Sequence, residues 1–375
     1  MLQPPGSTTT ARKPAGASWL GRYCRGVRLG LSMGYVVGSG ACDHIELARE
    51  ADRLGYSVAW AAEAYGSDSP SVLSYVAART QRIDVGAAVM QIPARTPAMT
   101  AMTAATIDLL SGGRFRLGLG VSGPQVSEGW HGVRFDKPLQ RTREYVDVVR
   151  KALRRETVRS DGDFFRLPLP DGPGKALKLT VHPVRSAIPI YLAAIGPRSL
   201  ELAGEIADGW LAIFFSPEHA DESLGSISTG RARAERKSTA FDVAATVPVV
   251  VGDDIEACAE PVRSYAALYL GGMGSREHNF YNQLASRMGF DAGAKLVQDL
   301  FLDRHYRAAA AAVPLEFIDA TSLLGPPGRI VERLQAFAEA GVTTLNVALF
   351  GADLTARIQT LRQVSEAFVA ADLAD

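Results

Sequence analysis

The chain has 375 residues, of which 47% are hydrophobic and 21% charged, a composition that supports a large globular core and excludes a disordered or fibrous chain. Lys plus Arg number 40 and Asp plus Glu number 40, so the net charge is zero and no global field recruits nucleic acid or an anionic membrane. The three cysteines, Cys24, Cys42 and Cys258, show no CxxC spacing, which suggests neither a disulfide framework nor a zinc site and fits a reducing, cytoplasmic setting.

Residues 1–26 are rich in Pro, Gly, Ser and Thr and lack the apolar core of a secretory signal, so they read as a flexible arm. No later run reaches about 18 uninterrupted apolar residues, the usual length of a membrane span. From Val27 onward, β-branched apolar runs alternate with segments of helical period, the pattern of βα units around a parallel sheet. VRLGLSM is the first strand, and the helix carrying Ile45, Ala48, Ala51 and Leu54 stops at Gly55. YSVAWAAE follows as strand two, PSVLSYVAART as a helix, and RIDVGAAVM as strand three. Thr96-Pro97 opens a third helix, which Gly112 and Gly113 end. Strand four is the run RFRLGLG, and REYVDVVRKALRRE is the helix after it. Turn residues crowd the stretch near 160–189, which reads as an excursion. IPIYLAA, GWLAIFF, VAATVPVVV and TTLNVAL supply strands five to eight, and the long stretch near 253–340 reads as a helical insertion. Eight such units are the count of a (β/α)8 TIM barrel, so residues 27–375 read as one barrel domain of the α/β class. A doubly wound sheet competes, but no GxGxxG follows the first strand.

In such a barrel the chemistry sits on the loops that follow the strands. Those loops hold no Ser/His/Asp triad, no HExxH helix and no carboxylate cage, and the six histidines are scattered, so no metal site is expected. What the loops share is small residues. AAV, GVSG and AAIG strip side chains from one mouth of the barrel, which suits a flat ligand lying against backbone. In strand four, Gly118 and Gly120 either relieve crowding inside the barrel or admit that ligand, and Gly123 follows just after. The segment IGPRSLELAGEIADGW is more specific. Its strand ends at Ile195, Gly196 leaves the backbone open, and Pro197 takes the first helical position before Arg198 and Ser199. Unpaired amides at a helix start, beside an Arg and a hydroxyl, form an anion site suited to phosphate; the alternative is an ordinary βα turn.

Taken in order, LGLSMGY, WAAEAYGSD, GAAVMQIPARTP, LSGGRFRLGLGVSGPQVSEGW, IYLAAIGPRSLELAGEIADGW and FIDATSLLGPPGRI before GVTTLNV resemble the bacterial luciferase-like oxidoreductases, and within them the branch that uses the deazaflavin coenzyme F420. The resemblance covers almost the whole chain from Val27. It implies a luciferase-like barrel, F420 as cofactor, and hydride transfer involving a small organic substrate. It also implies a ring lying at the strand ends against a bulge after strand three, where a non-prolyl cis peptide is common, here at Ala88 and Val89. The cofactor residues implied are Ser32, Ala88, Val89, Met90, Ser122, Gly123 and Gln125, with Ile195, Gly196, Pro197, Arg198 and Ser199 on the phosphate side. Related sugar-phosphate dehydrogenases place an Asp-His pair after strand two and an acid after strand four. Glu63-Ala64 and Pro124 stand there in this chain, which argues against that substrate.

Glu63 and Tyr35 are the candidates for polarising or protonating the substrate, with Glu63 alternatively capping the following helix. Tyr65, Trp130 and Phe214 are candidate pocket walls, whereas Trp60, on a strand, is expected in the core. FMN in place of F420 would make the protein a monooxygenase, and a flavin-binding protein without turnover is a further alternative. Ala98, Ala101, Ala104 and Ala105 on helix three would let a neighbouring helix approach, so a homodimer is expected, with no nucleic-acid or membrane partner.

Overall fold

The computed structural model describes residues 26–35, 41–185, 187–234 and 240–373, so the expected arm lies outside the described residues apart from its last position. Eight strands form the barrel: β1 (Arg28–Gly34), β2 (Val58–Ala61), β3 (Asp84–Ala87), β4 (Phe115–Gly120), β5 (Ile190–Ala193), β6 (Gly209–Ile213), β7 (Asp242–Val251) and β8 (Thr344–Leu349). Each pairs in parallel with the next, and β8 returns to β1 with Thr344 opposite Arg28, which closes the (β/α)8 barrel. Every residue of β2 and β4 is buried, because helices cover a barrel strand from outside and layers of side chains fill it from within. Trp60 belongs to one such layer. Its indole donates to Asn346 Oδ1 at 2.8 Å and meets Tyr191 edge to face at 5.2 Å.

The helices before β7 are α1 (Ala41–Leu54), α2 (Ser69–Ala77), α3 (Pro97–Leu110), α4 (Pro124–Gly129), α5 (Pro138–Leu153), α6 (Pro197–Ile206) and α7 (Ala220–Arg233). Thr96 caps α3 by accepting from the Met99 amide, and Pro97 takes its first turn. The alanines expected to admit a second helix are mostly turned inward: Ala101, Ala104 and Ala105 are fully buried on this chain's own barrel. Among the described residues no helix is long and apolar enough to cross a membrane.

The glycines of strand four are explained by strand three. A Cβ on Gly118 would lie inside contact distance of the Ala87 carbonyl oxygen, and one on Gly120 would sit 2.5 Å from Val89 Cγ2. The group that approaches this bare backbone is therefore the neighbouring strand. The chain leaves β3 at Ala87, passes through a cis peptide between Ala88 and Val89, and pairs again as Met90–Gln91 beside Leu119 and Gly120. Gly118 and Gly120 make room for that bulge, so crowding inside the barrel is the reading that holds for both.

The stretch near 253–340 divides between two cores. Helices α8 (Ile255–Ala267), α9 (Phe280–Arg287), α10 (Asp291–Leu302), α11 (Tyr306–Ala311) and α12 (Leu315–Ala320) build a hydrophobic cluster of their own around Val262, Val297 and Phe317. Residues Leu323–Gly325 then pair with the end of β7, and α13 (Pro327–Glu339) buries Ile330, Leu334 and Phe337 in the barrel core. The last part of the expected insertion is thus the ordinary crossover to β8. Helical period alone does not say which core a helix faces. The chain ends with α14 (Leu354–Ala370).

Candidate functional site

At the carboxyl ends of the strands, Glu63 follows β2 and turns its carboxylate toward Arg95, whose Nη1 donates to Oε1 at 2.6 Å. The other oxygen, Oε2, is buried without a hydrogen-bond partner. Burial pushes the Glu63 carboxyl above its ordinary range, against the pull of Arg95. Arg95 also pairs with Asp68, and Asp68 accepts from the Ser71 amide at 2.9 Å. The cap of α2 is therefore Asp68, which corrects the capping alternative for Glu63.

Gln91, directly after the bulge, gathers the neighbouring polar groups. Its Nε2 donates to the Glu63 carbonyl at 3.3 Å and lies 3.4 Å from Ser122 Oγ, while its Oε1 is 2.7 Å from His131 Nε2. With the amide nitrogen committed to two oxygens, Oε1 faces the imidazole, so Nε2 of His131 carries the proton. Burial, reinforced by Arg95, holds the His131 pKa below its usual value. Ser122 itself adopts φ 61°, a left-handed conformation uncommon outside glycine that over-determined sites tend to hold.

The turn between β5 and α6 forms as its residues dictate. Gly196 is the N-cap, Pro197 opens the helix, and Ser199 Oγ donates to the Gly196 carbonyl at 2.7 Å. A Cβ on Gly196 would meet only Ser199 Oγ, at 3.9 Å, so this side of the turn stands open. Arg198 is exposed, and the Arg287 guanidinium reaches over from α9 to donate to the Ile195 carbonyl at 3.0 Å. Two guanidiniums thus flank the helix start, that of Arg287 also paired with Glu222 at 3.4 Å. Beside them opens a cavity of about 180 Å³ lined by Ala194, Ile195, Phe215, His219 and Arg287.

The remaining candidates are scattered around the mouth. Ser32 is half-buried on β1, Met90 is buried in the bulge, Gln125 is exposed on α4, and Gly123 is that helix's N-cap with room on its Cβ side. Tyr65 and Trp130 are exposed, at 61% and 66%. Phe214 is one of the residues lining that cavity. It is only 2% exposed and adopts φ 53°, with its ring among those of Tyr265, Tyr269 and Phe317 at 5.3 to 5.6 Å. Tyr35 follows β1, with its ring beside Gly66, and burial raises its phenol above the ordinary pKa. Sequence reasoning missed Gln91, Arg95, His131 and Arg287. Gln91 and Arg95 both lie in the quoted run GAAVMQIPARTP, where their polar chemistry beside an apolar strand was the available signal.

A family model described as luciferase-like monooxygenase matches residues 30–344. The chain is 43% identical over 335 residues to a protein of Mycobacterium tuberculosis whose name places it among coenzyme F420-dependent oxidoreductases, covering 88% of this chain and 96% of that one. It is 30% identical over 301 residues to the 5,10-methylenetetrahydromethanopterin reductase of Archaeoglobus fulgidus, covering 80% and 86%. Among solved structures, the coenzyme F420-dependent tetrahydromethanopterin reductase from Methanopyrus kandleri aligns with a TM-score of 0.77 over 92% of this chain and 99% of that one. At 23% identity, that likeness speaks to the barrel alone.

Proposed function

The chain belongs to the luciferase-like monooxygenase family, and from that premise we propose that it is a reductase transferring a hydride from reduced coenzyme F420 to a small organic substrate. It is an oxidoreductase, and its cofactor is coenzyme F420. The observation that carries the reading is the strand-end mouth. Its backbone bulges between Ala87 and Met90 and is open at Gly196, it is flanked by Arg198 and Arg287, and it holds a buried carboxyl oxygen without a partner at Glu63. Those residues fit a flat ring with an anionic tail.

In this reading Ala88, Val89 and Met90 back the ring, with Ser32, Ser122, Gly123 and Gln125 beside it. Ile195, Gly196, Pro197, Arg198 and Ser199 hold the phosphate. When bound, reduced F420 supplies a hydride from carbon at low potential. The chain's own residues do the rest. Tyr35 and Glu63 hold or relay the proton, Gln91 fixes Ser122 and His131 around them, and Tyr65 and Trp130 border the entrance. FMN is the second reading, favoured by the family's description as monooxygenases. A fluorescence titration with each cofactor tests the pair: preferential binding of F420 is expected, and preferential binding of FMN would overturn it. We also propose that the protein works as a homodimer.

A further inference from the structure

The cavity beside the helix start is lined from the ends of β5 and β6, from the start of α7, and from Leu284, Arg287 and Met288 at the end of α9. It shares no residue with the bulge at Ala88 and Val89, with Ser122 or with Glu63, and it meets the phosphate turn only at Ile195. Its buried walls are apolar, with Ala194, Phe214, Phe215, Ala220 and Met288 among them. The buried polar side chains of the wall are already satisfied. Trp210 Nε1 donates to the Ala194 carbonyl at 2.9 Å, and Ser216 Oγ donates to the Glu218 carboxylate at 2.7 Å. Among the described residues, none of the buried side-chain polar atoms left without a partner lines this space. Charge enters the lining only on exposed residues, Asp221, Glu222 and Arg287 with His219 beside them, and Arg287 and Glu222 neutralise each other.

Phe214 forms its part of the wall at a conformational cost. A φ of 53° is unfavourable for a bulky residue, and such conformations persist where the surroundings over-determine them, most often at ligand sites. A guest here finds contact area but no buried donor or acceptor in need of a partner, so a charge would enter unpaired. The volume sets the size of that guest. At about 180 Å³ the space is slightly larger than the roughly 150 Å³ of an apolar cavity that stays dry and takes benzene. Trp210, Phe214 and Phe215 offer ring faces and edges to an aromatic group.

We propose that this cavity is a ligand site in its own right, taking an uncharged aromatic group of single-ring size, and that Arg287 links its occupation to the anion site at Gly196 to Ser199. Arg287 lines the cavity and also donates to the Ile195 carbonyl at 3.0 Å, immediately before Gly196. A guest packed against the stem of this side chain orders its guanidinium over the turn, and an anion bound at the turn then meets a cation already in place. The site stands on its walls; the linkage rests on the reading that places the cofactor's phosphate at that turn.

The test is a fluorine NMR titration of the full chain with fluorobenzene, para-fluorobenzoate and fluoronaphthalene. Fluorobenzene is expected to bind with a Kd below about 1 mM, para-fluorobenzoate about tenfold more weakly, and fluoronaphthalene not at all. Ser223→Trp, which fills the cavity from α7, should abolish fluorobenzene binding and leave F420 affinity unchanged. F420 should bind the fluorobenzene-saturated parent about threefold more tightly than the parent alone, and Arg287→Met should lose that difference while still binding fluorobenzene. No fluorobenzene binding, binding that Ser223→Trp leaves intact, or para-fluorobenzoate held as tightly in the space that Ser223→Trp closes would overturn the site. If Ser223→Trp does not fold, fluoronaphthalene bound as tightly as the single ring overturns it instead. Fluorobenzene binding with F420 affinity unmoved would overturn the linkage and leave the site. A parent that does not bind F420 would overturn the cofactor reading and the linkage with it, while fluorobenzene still decides the site.

Discussion

Glu63 Oε2 is buried without a partner while Oε1 is held by Arg95, and a carboxyl so placed keeps a proton longer than a solvated one. Because its folded pKa is raised above the unfolded value, the proton-bearing form is favoured by the fold. The stability it contributes is full below the unfolded pKa and is lost as pH rises through the folded one. As a proton donor, Glu63 should give a kcat that falls with rising pH across the same window. Glu63→Gln should keep F420 affinity and lower kcat by about 100-fold or more, and Arg95→Leu should move the falling limb to higher pH. Turnover within a few-fold of the parent, with an unmoved pH profile, would leave the proton to Tyr35. Gly196 offers a separate test at the other end of the mouth. Its Cβ position is nearly empty, so Gly196→Leu should fold with an unchanged Tm yet weaken F420 binding by about tenfold or more, as read by fluorescence titration, by filling the space beside the helix start. Unchanged affinity would remove the phosphate from this turn.

At the scale of elements, the β3 bulge and β4 act as one unit. In Gly118→Ala the new methyl meets the Ala87 carbonyl, which is main chain and cannot rotate away; in Gly120→Ala it meets the end of the Val89 side chain, which can. Urea unfolding should therefore show Gly118→Ala destabilised by roughly 1–3 kcal/mol or more, and Gly120→Ala by less. Equal, negligible effects would mean that the bulge does not need the bare strand. The glycine pattern was visible in the sequence but its cause was not, because the cause is a contact between residues about 30 positions apart. Period and turn residues located the eight strands, the Pro97 and Pro197 helix starts and the open turn at Gly196. They missed α4, six residues with Pro and Gly at its ends, too short for a period to register. They also left α13 inside the insertion, since an amphipathic helix reads the same whichever core it meets. In the mouth, Glu63 and Tyr35 could be singled out from the sequence because each lies within two residues of a strand end. Gln91 with Arg95, His131 and Arg287 come from three different segments, and only the closed barrel brings them to one end.

For the whole molecule, the two faces of α3 decide how it meets its surroundings. The inner face, with Ala101, Ala104, Ala105 and Ile107, is used up on the barrel, so small residues are not free to admit a second helix. The outer face is a different surface. Met99, Met102 and Leu109 are half exposed, Leu110 is 71% exposed, and Tyr75 of α2 is half exposed as well. Positions 99, 102, 106 and 109 to 110 follow helical spacing, so these side chains form a stripe rather than isolated surface residues. A contiguous apolar stripe of this kind marks an interface more often than a wetted surface. A two-fold axis through it would bury each side chain twice, once per protomer, at roughly 1.5–3 kcal/mol for a large apolar side chain that becomes fully covered. A homodimer formed by the outer face of α3 is therefore expected. The combined variant Met102→Glu with Leu110→Glu would set four carboxylates into that interface and should give a monomeric mass by light scattering. F420 binding should persist, since none of these side chains belongs to the barrel mouth. A parent that is already monomeric at working concentration, or a variant that remains dimeric, would take the interface away from this face.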